Sequence, residues 1–281
     1  MKNVLTIAWR EIRTYFSSPL AYVVIGVFLS LTGYIFWAHL VRFSELCLRY
    51  GSNPYFLNQL NVNDMVVRPL FGSMGVIFLL MVPVVAARLF AEEKKSGTAE
   101  LLFTCPVTTA QVILGKFLGA SFLLLAMISV TLTYPVLIMA SNSSPDMKPT
   151  LVGYLGIFLM GLCILSIGLL ISSMTESQII ATVGGFGASL GFWILPWIAE
   201  SATVTLATLM NSVTFGLWEK LHLGLGGPTL GDFLTKVSFL SHLDDFRKGL
   251  LDTEHLVFYV SAVFFSLFLT QRVVDSQRWR G

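Results

Sequence analysis

The sequence has little charge and few cysteines, and it lacks the common catalytic motifs. Only 12% of its 281 residues are charged and 55% are hydrophobic, whereas a soluble globular domain carries about 25% charged residues. Together with a mean hydropathy of +0.76, this composition is typical of a membrane protein. A net charge of only +2, with no long basic run, argues against a nucleic-acid partner.

The cysteines and histidines predict neither a disulfide framework nor a metal site. Cys47, Cys105 and Cys163 are far apart and form no CxxC pair, which is the pattern that either feature would need. The histidines are scattered at or beyond the predicted outer membrane face, so we expect no cluster of histidines and carboxylates. They are His39, His222, His242 and His255.

The sequence predicts no catalytic residue and no nucleotide site in this chain. It contains no HExxH, GxSxG or GxxxxGK[ST] motif, and Gly115-Lys116 is followed by Phe117 rather than by serine or threonine. We expect no ionisable residue inside a span, Lys116 being counted with the cytoplasmic residues, so a buried proton relay is not predicted. An intramembrane enzyme would have to use a polar side chain of a span. The candidates are Thr131, Thr133 and Ser189.

Six apolar runs are long enough to cross a bilayer, and they predict an all-α membrane protein with a single domain over residues 1–281. The expected spans are about 19–40, 70–87, 112–140, 151–172, 179–198 and 256–270. An even number of spans places both termini on one side. Capping-box spacing at Thr108 to Gln111 and at Thr175 to Gln178 predicts sharp starts for the third and fifth spans.

Residues 1–18 predict an amphipathic helix in the membrane surface. Its apolar side is made by Leu5, Ala8, Trp9, Ile12, Tyr15 and Phe16, and its polar side by Lys2, Thr6, Arg10, Arg13 and Thr14. The alternative is a soluble helix that packs on its own protein.

Lysine and arginine predict the orientation. Their density is about twofold higher in the segments on the side of the termini than on the other side, which places both termini in the cytoplasm. On the termini's side are Lys2, Arg10, Arg13, Arg88, Lys94, Lys95, Lys116, Arg272, Arg278 and Arg280.

Residues 199–255 form a connection that is too long and too apolar for a simple loop. Apolar residues at helical spacing predict two extracellular amphipathic helices, separated by a break at residues 224–228. A seventh span through residues 203–218 is the alternative, although six threonine, serine and asparagine residues between 203 and 214 disfavour it.

The most charged short segment, residues 88–111, joins the second and third spans. The charges of Glu92 and Glu93 end the second span, and Gly97 permits a turn. Thr98 can cap a short helix that Pro106 ends. Such a helix is attached to a span at each end, so it can transmit a movement of a soluble partner to both spans. The alternative is that the segment is a solvated loop. The other residues of this helix that we select are Glu100 and Leu101.

The segment FAEEKKSGTAELL at residues 90–102, followed by Pro106-Val107, Gln111 and Gly115-Lys116, resembles the signature of ABC-2 type ABC transporter permeases. The resemblance extends to the surface helix, the six spans and the extracellular helices. The tail HLDDFRKGLLDTEHLVFYVSAVFFSLFLTQRVV, which begins at His242, is similar to the branch that contains gliding-motility-associated (GldF) and NosY-type permeases.

The resemblance implies a non-catalytic subunit of the bacterial inner membrane that an ABC ATPase drives. The partner would bind ATP and magnesium, and residues 88–111 would contain the coupling helix that contacts it. A second permease subunit would complete a homodimer or heterodimer, and an extracytoplasmic accessory protein is a further possible partner. The coupling residues implied are Glu92, Glu93, Gly97, Thr98, Glu100, Leu101 and Pro106.

Small residues in the fifth span predict close helix approach. Gly187 and Gly191 form a GxxxG pair with Gly184 and Ala188 beside it. The pattern fits a dimer face or packing inside one subunit, and the same two alternatives apply to Gly115 and Gly119.

The sequence does not identify the substrate, because the spans contain only mildly polar candidates for substrate-binding residues. These are Tyr34, Trp37, Thr131, Thr133, Tyr134 and Ser189. They suit an apolar, lipid-like or peptide cargo. The alternative function is a scaffold that transmits ATP-driven motion to an envelope partner and moves no cargo.

Overall fold

The computed structural model describes residues 2–50, 61–97, 107–140, 145–214 and 230–278, and every regular element in these ranges is a helix. A π-helical turn, Asn63–Val67, leads directly into the third helix. In chain order the helices are α1 (Lys2–Ser17), α2 (Pro19–Tyr50), α3 (Arg68–Lys95), α4 (Thr109–Thr131), α5 (Thr133–Ala140), α6 (Met147–Met174), α7 (Gln178–Thr214), α8 (Leu230–Val237), α9 (Phe239–Arg247) and α10 (Thr253–Arg278).

Six helical stretches of the described chain are long and apolar enough to cross a membrane, which confirms the predicted all-α class and the number of spans. Several run past the predicted ends of the spans; α2, for example, continues to Tyr50 rather than ending near Leu40. The stretches are Pro19–Tyr50, Asn63–Lys95, Thr109–Ala140, Met147–Met174, Gln178–Ala199 and Thr253–Gln277.

The second and fourth spans, α3 and α6, form the centre of the bundle. Their most apolar windows are 67% and 61% buried within the protein, against 22% for α7 and for α10. Close approach of the two central helices depends on glycine, because a Cβ atom added at Gly168 of α6 would lie 2.5 Å from the Cβ of Ala86 in α3. The core is therefore built around one tightly packed helix pair.

The first, fifth and sixth spans lie at the periphery and expose large apolar side chains. Tyr34 of α2, Val183 of α7 and Phe264 of α10 are examples of such exposed residues. Exposed apolar side chains on helices of this length are what a lipid-facing surface requires. The peripheral helices therefore present the surface that would contact the bilayer.

Helix α1 packs across the first turns of α4 and also keeps an exposed apolar side. Ala8 and Tyr15 are buried against the protein, whereas Leu5 and Trp9 are exposed. The predicted apolar face is thus divided between protein packing and an open surface. The sequence did not predict that Glu11 would be buried on this helix.

The connection between the fifth and sixth spans is helical, but its helices are arranged differently from the prediction. Residues 203–214 continue α7 instead of forming a separate helix, because no glycine or proline interrupts the chain after Pro196. The later helical region is divided at Ser238, whose hydroxyl accepts a hydrogen bond from the amide of Leu240 and so begins α9. Residues 215–229 lie outside the described residues.

The bundle has two ends. The base holds Glu93 at the end of α3, Lys116 at the start of α4 and Gln277 at the end of α10. The opposite end holds His242 of α9 and His255 of α10. At 1.5 Å per residue, α10 covers roughly 33 Å between these two ends, close to the thickness of a bilayer core.

Candidate functional site

The predicted coupling residues divide into two groups. Glu92, Glu93 and Gly97 belong to the described chain, which resumes at Val107. The remainder, Thr98, Glu100, Leu101 and Pro106, lie outside the described residues. The structure therefore shows the two ends of the segment that joins α3 to α4.

The end of α3 turns at Gly97. Its φ angle of +72° lies in the left-handed region, and a Cβ atom added there would meet nothing within 4 Å. Glycine enters this region without the steric cost that other residues have. Glycine at this position therefore lets the chain leave α3 abruptly, as the sequence predicted.

Glu92 and Glu93 are neighbours in sequence but have different environments. Glu92 pairs with Arg88 on its own helix, at 2.7 Å between Nε and Oε2, and is half exposed. Glu93 points inward, where its Oε1 lies 2.7 Å from the ammonium of Lys116 and 3.2 Å from Nη2 of Arg10. Glu93 therefore connects α3 to α4 and α1, whereas Glu92 stabilises only α3.

Four residues form a charge cluster at the base: Arg10, Glu11, Glu93 and Lys116. The Lys116 ammonium lies 3.2 Å from Oε1 of Glu11 and also donates a hydrogen bond of 2.8 Å to the carbonyl of Leu89. Nη2 of Arg10 contacts the same two carboxylates. Two cations and two anions thus balance one another where α1, α3 and α4 meet.

Burial of the charge cluster determines the free-energy cost of breaking its ion pairs. The side chain of Lys116 is 1% exposed and that of Glu11 is 10% exposed. Removing one member of a buried ion pair costs about 3–5 kcal/mol, because the charge that remains is uncompensated. The three helices are therefore held together by a contact that is costly to open.

Two glycines of α4 bring α1 into range of the charge cluster. A Cβ atom at Gly115 would lie 2.6 Å from Cγ2 of Ile7, and one at Gly119 would lie 2.6 Å from Cβ of Glu11. Larger residues would hold α1 away from α4. This GxxxG pair therefore serves packing inside one chain, which was one of the two alternatives for it.

The start of α4 carries the predicted capping box. The hydroxyl of Thr108 accepts from the amide of Gln111, while the Gln111 side chain accepts from the Thr108 amide, each at 3.4 Å. The Gln111 side chain also accepts a hydrogen bond from Asn3 of α1. The box thus fixes the first turn of α4 and adds a contact to α1.

The second predicted capping box, at Thr175, is wrong. Helix α7 begins at Gln178, and the carbonyl of Ser177 accepts its first helical hydrogen bond, from the amide of Ala181. Ser177 therefore occupies the capping position that was assigned to Thr175. The hydroxyl of Thr175 accepts from the amide of Ser177 and orders the connection instead.

A further set of hydrogen bonds joins α3 to α6 and α10 at the base. The Lys94 ammonium donates to the carbonyl of Ser173 and to Oε1 of Gln277. The Ser172 hydroxyl donates to the carbonyl of Ala87 and accepts from the amide of Phe90. The end of α3 is thus bonded to four other helices.

Tyr15 lies beneath the charge cluster and is fully buried. Its hydroxyl donates to the carbonyl of Val85 at 3.4 Å. Burial raises the pKa of this phenol, and the negative charge of Glu11 raises it further. The phenol therefore stays neutral and adds no charge to the contact between α1 and α3.

The glycines of α7 are used differently from those of α4. A Cβ atom at Gly187 or Gly191 would meet nothing within 4 Å, and both residues are exposed. A Cβ atom added at Gly184 would lie 3.0 Å from Cγ2 of Ile171 in the same chain. Ala188 is partly buried against the core. Gly187 and Gly191 therefore make an open groove on the surface.

Sequence reasoning missed the charge cluster as a unit. It assigned Lys116 to the cytoplasmic residues and Arg10 to the polar side of the surface helix, and it gave Glu11 no role. Lys116 and Glu11 are 105 positions apart, so no local pattern connects them. The available signal was the lysine of the Gly115-Lys116 pair, which is an unusual residue about two turns into an apolar helix.

The expectation of no cluster of histidines and carboxylates is also wrong. His242, His255 and Asp245 come together at the end of the bundle opposite the base. Among the described residues, no group of three or more histidine, cysteine or carboxylate side chains is placed to hold a metal ion.

Two comparisons with known proteins bear on the chain. A sequence model described as ABC-2 family transporter protein matches residues 5–270, which is nearly the whole chain and includes Arg10, Glu11, Glu93 and Lys116 of the base. A search of curated proteins found no match. The family comprises membrane subunits of ABC transporters, whose general partners are an ABC ATPase and a permease subunit. With its six spans and the charged base between the second and third, this chain belongs to the ABC-2 family of transporter proteins.

Proposed function

We propose that this chain is the membrane subunit that couples ATP hydrolysis on a separate ATPase subunit to the export or transmembrane movement of a substrate. The observation that carries the proposal is the charge cluster of Arg10, Glu11, Glu93 and Lys116. It joins Glu93, which lies in the segment at residues 88–111, to α1 and to Lys116, which lies in α4 just after that segment. A segment held in this way moves the attached spans when it is displaced.

Motion at the segment reaches the centre of the protein by a short route. Helix α3 continues from Glu93 into the central pair with α6, and Ser172 and Lys94 bond these helices together at the base. Because packed helices transmit strain with little compression, a displacement of the base alters the packing of α3 on α6. Helix α4 follows α3 because Lys116 ties it to Glu93.

The ATPase would dock on the exposed part of this segment. Glu92 is available for contact, because its side chain is 51% exposed and its ion pair with Arg88 lies on its own helix. Thr98, Glu100, Leu101 and Pro106 complete the proposed contact, and Gly97 provides the turn that leads to them. ATP and magnesium would be bound by the partner, which performs the hydrolysis.

A second permease subunit would pack against α7. Gly187 and Gly191 leave an open groove, and glycines at this spacing allow two helix backbones to approach closely within a membrane. Gly184 and Ala188 flank this groove. The partner at this face would be a second copy or a related permease.

The orientation that we propose rests on charge. The higher density of lysine and arginine on the side of the base supports a cytoplasmic position for the base and both termini, and we propose a bacterial inner membrane as the location. The helices α8 and α9 would then lie outside, where an accessory protein could bind. The gliding-motility-associated and NosY-type branch stays a prediction, and no observation on the described residues favours the scaffold that moves no cargo.

Copurification tests the proposal. After mild detergent extraction of native membranes, the tagged chain should bring down an ABC-type ATPase. Glu100→Lys should reduce the amount of ATPase recovered, because it reverses a charge at the proposed contact. Glu176→Lys, the same change in the connection between α6 and α7, should not. Recovery without any ATPase, or equal recovery with both variants, would contradict the proposal.

A further inference from the structure

Two histidines meet at the end of the bundle opposite the base. His242 of α9 is 4% exposed and stacks on the ring of Phe258, with 3.9 Å between ring centroids. His255 lies in the first turn of α10. Their Nδ1 atoms are 2.6 Å apart, a distance that requires a hydrogen between them.

The other nitrogen of each ring is also engaged. Nε2 of His242 lies 2.7 Å from the carbonyl oxygen of Lys236, and Nε2 of His255 lies 3.1 Å from Oδ2 of Asp245. A carbonyl oxygen and a carboxylate accept hydrogen bonds but do not donate them. Both Nε2 atoms must therefore carry a hydrogen.

The number of protons in the pair follows from these partners. If both rings were neutral with hydrogen on Nε2, two lone pairs would face each other at 2.6 Å. If both rings were cations, two N–H groups would collide. One additional proton, placed between the Nδ1 atoms, satisfies all three contacts of His242 and His255 and gives the pair a single positive charge that Asp245 balances.

We infer that His242 and His255 form a proton-binding site that holds one shared proton and ties α9 to the start of α10. Asp245 stabilises the charged form. Lys236, at the end of α8, contributes its carbonyl, so the site connects three helices. The inference rests on the geometry of the rings and is independent of the proposed coupling to an ATPase.

The pKa of His242 is lowered in the folded protein. Burial lowers the pKa of His242, while Asp245 and Glu254 act in the opposite direction and His255 adds to the lowering. Lys248 donates a hydrogen bond of 2.8 Å to Asp245 and thereby lowers the pKa of that carboxyl group. Among the described residues, the charged groups that act on the pKa of His242 are Asp245, Glu254 and His255. None of these groups belongs to α3, α6 or α7.

The site predicts lower stability in acid. Because the pKa of His242 is lower in the folded protein than in the unfolded chain, the unfolded chain takes up a proton first as the pH falls. Histidine in an unfolded chain has a pKa of about 6.5, and above this pH His242 makes its full contribution to stability. The contribution is lost as the pH falls from about 6.5 toward the lower pKa that His242 has in the folded protein. A second proton would then place two N–H groups against each other and separate α9 from α10.

A metal ion fits the distance less well than a proton. Zinc binds histidine nitrogen at about 2.0–2.1 Å, so two tetrahedral ligands stand about 3.3 Å apart. The Nδ1 atoms are closer than that. The carboxylate of Asp245 contacts Nε2 of His255, on the side of that ring away from Nδ1. It therefore cannot complete a ligand set with the two Nδ1 atoms.

Thermal unfolding of the full chain in lipid nanodiscs tests the inference. Between about pH 6.5 and about pH 5, the unfolding midpoint of the wild type should fall by about 3–5 °C more than that of His242→Gln. Glutamine can accept from His255 and donate to Lys236 without titrating. Ser261→Ala removes an exposed hydroxyl of α10, which does not titrate in this range, and should retain the wild-type profile. A His242→Gln profile equal to the wild type would overturn the inference.

Two further measurements keep the test decisive. If His242→Gln fails to fold, ¹⁵N-histidine NMR of the wild type at about pH 7 should show one imidazolium sharing a hydrogen with a neutral imidazole. Two ordinary neutral rings would contradict the shared proton. A chelator should leave the midpoint unchanged, whereas a fall that zinc reverses would identify a metal site in its place.

Discussion

The ammonium of Lys116 lies 2.7 Å from Oε1 of Glu93, inside the base of an apolar bundle. This contact joins the end of the second span to the start of the third. Glu11 of α1 holds the same ammonium from another side. The segment proposed to receive the push of an ATPase is therefore fixed at both ends by one lysine.

The first prediction concerns Lys116. Lys116→Met removes a buried cation that contacts both Glu11 and Glu93, so the free energy of unfolding should fall by about 3 kcal/mol. Thermal unfolding in detergent measures this loss. Lys95→Met, at an exposed position two residues beyond Glu93, should change stability by less than about 0.5 kcal/mol. Equal effects of the two variants would show that the charge cluster does not stabilise the base.

The second prediction concerns the approach of α1 to α4. The Cβ atom of Gly119→Ala would lie 2.6 Å from Cβ of Glu11, so α1 must shift, at a cost of about 1–3 kcal/mol. Gly187→Ala meets no atom within 4 Å and should be neutral or stabilising by about 0.5–1 kcal/mol. Unfolding midpoints of both variants check the contrast, and a destabilising Gly187→Ala together with a harmless Gly119→Ala would contradict it.

The third prediction tests the proposed dimer face separately from the stability of the fold. Gly187→Leu should leave the unfolding midpoint near that of the wild type but convert dimers to monomers, because the side chain fills the groove on α7. Mass photometry in nanodiscs measures the stoichiometry. Ser129→Leu, an exposed change on α4, is the control and should keep the dimer. A Gly187→Leu protein that stays dimeric would exclude this face.

The fourth prediction concerns the bond between the two central helices. Ser172→Ala removes a buried hydroxyl that contacts the carbonyl of Ala87 and the amide of Phe90, at a cost of about 1–2 kcal/mol. Ser129→Ala removes an exposed hydroxyl that bonds only to the carbonyl of Ala126 on its own helix and should cost little. Chemical denaturation distinguishes the two, and a similar loss in both would argue that Ser172 has no special role.

Local sequence patterns predicted the helices but not their contacts. Apolar length alone was enough for the six spans, because the bilayer imposes that length on any helix that crosses it. The capping box at Thr108 and the turn at Gly97 were also predicted, since each depends on a few adjacent residues. Local patterns were less reliable for the ends of helices. Helix α7, for example, continues through Pro196 to Thr214.

Long-range contacts could not be predicted for physical reasons. The same GxxxG spacing occurs at Gly115 and at Gly187, yet the first faces α1 and the second faces open space. What lies opposite a glycine is decided by tertiary packing. Likewise, the partners of Lys116 lie on two other helices, and only the fold shows that Glu93 faces inward while Glu92 faces outward.

The central claim is that ATP-driven motion passes through the charge cluster, and Arg10→Gln tests it most directly. Arg10 is half exposed and contacts Glu11 and Glu93, so its loss should loosen the cluster without unfolding the protein. Arg13→Gln removes the same charge one turn along α1, where no ion pair is seen among the described residues, and serves as the control. The measurement is the ATP turnover of the purified complex with its ATPase in nanodiscs.

Arg10→Gln should lower the permease-dependent ATP turnover by roughly fivefold, the effect of about 1 kcal/mol on an equilibrium between coupled and uncoupled states. Arg13→Gln should leave it unchanged. If Arg10→Gln and Arg13→Gln both retain the wild-type turnover while the complex stays assembled, the charge cluster does not transmit the motion.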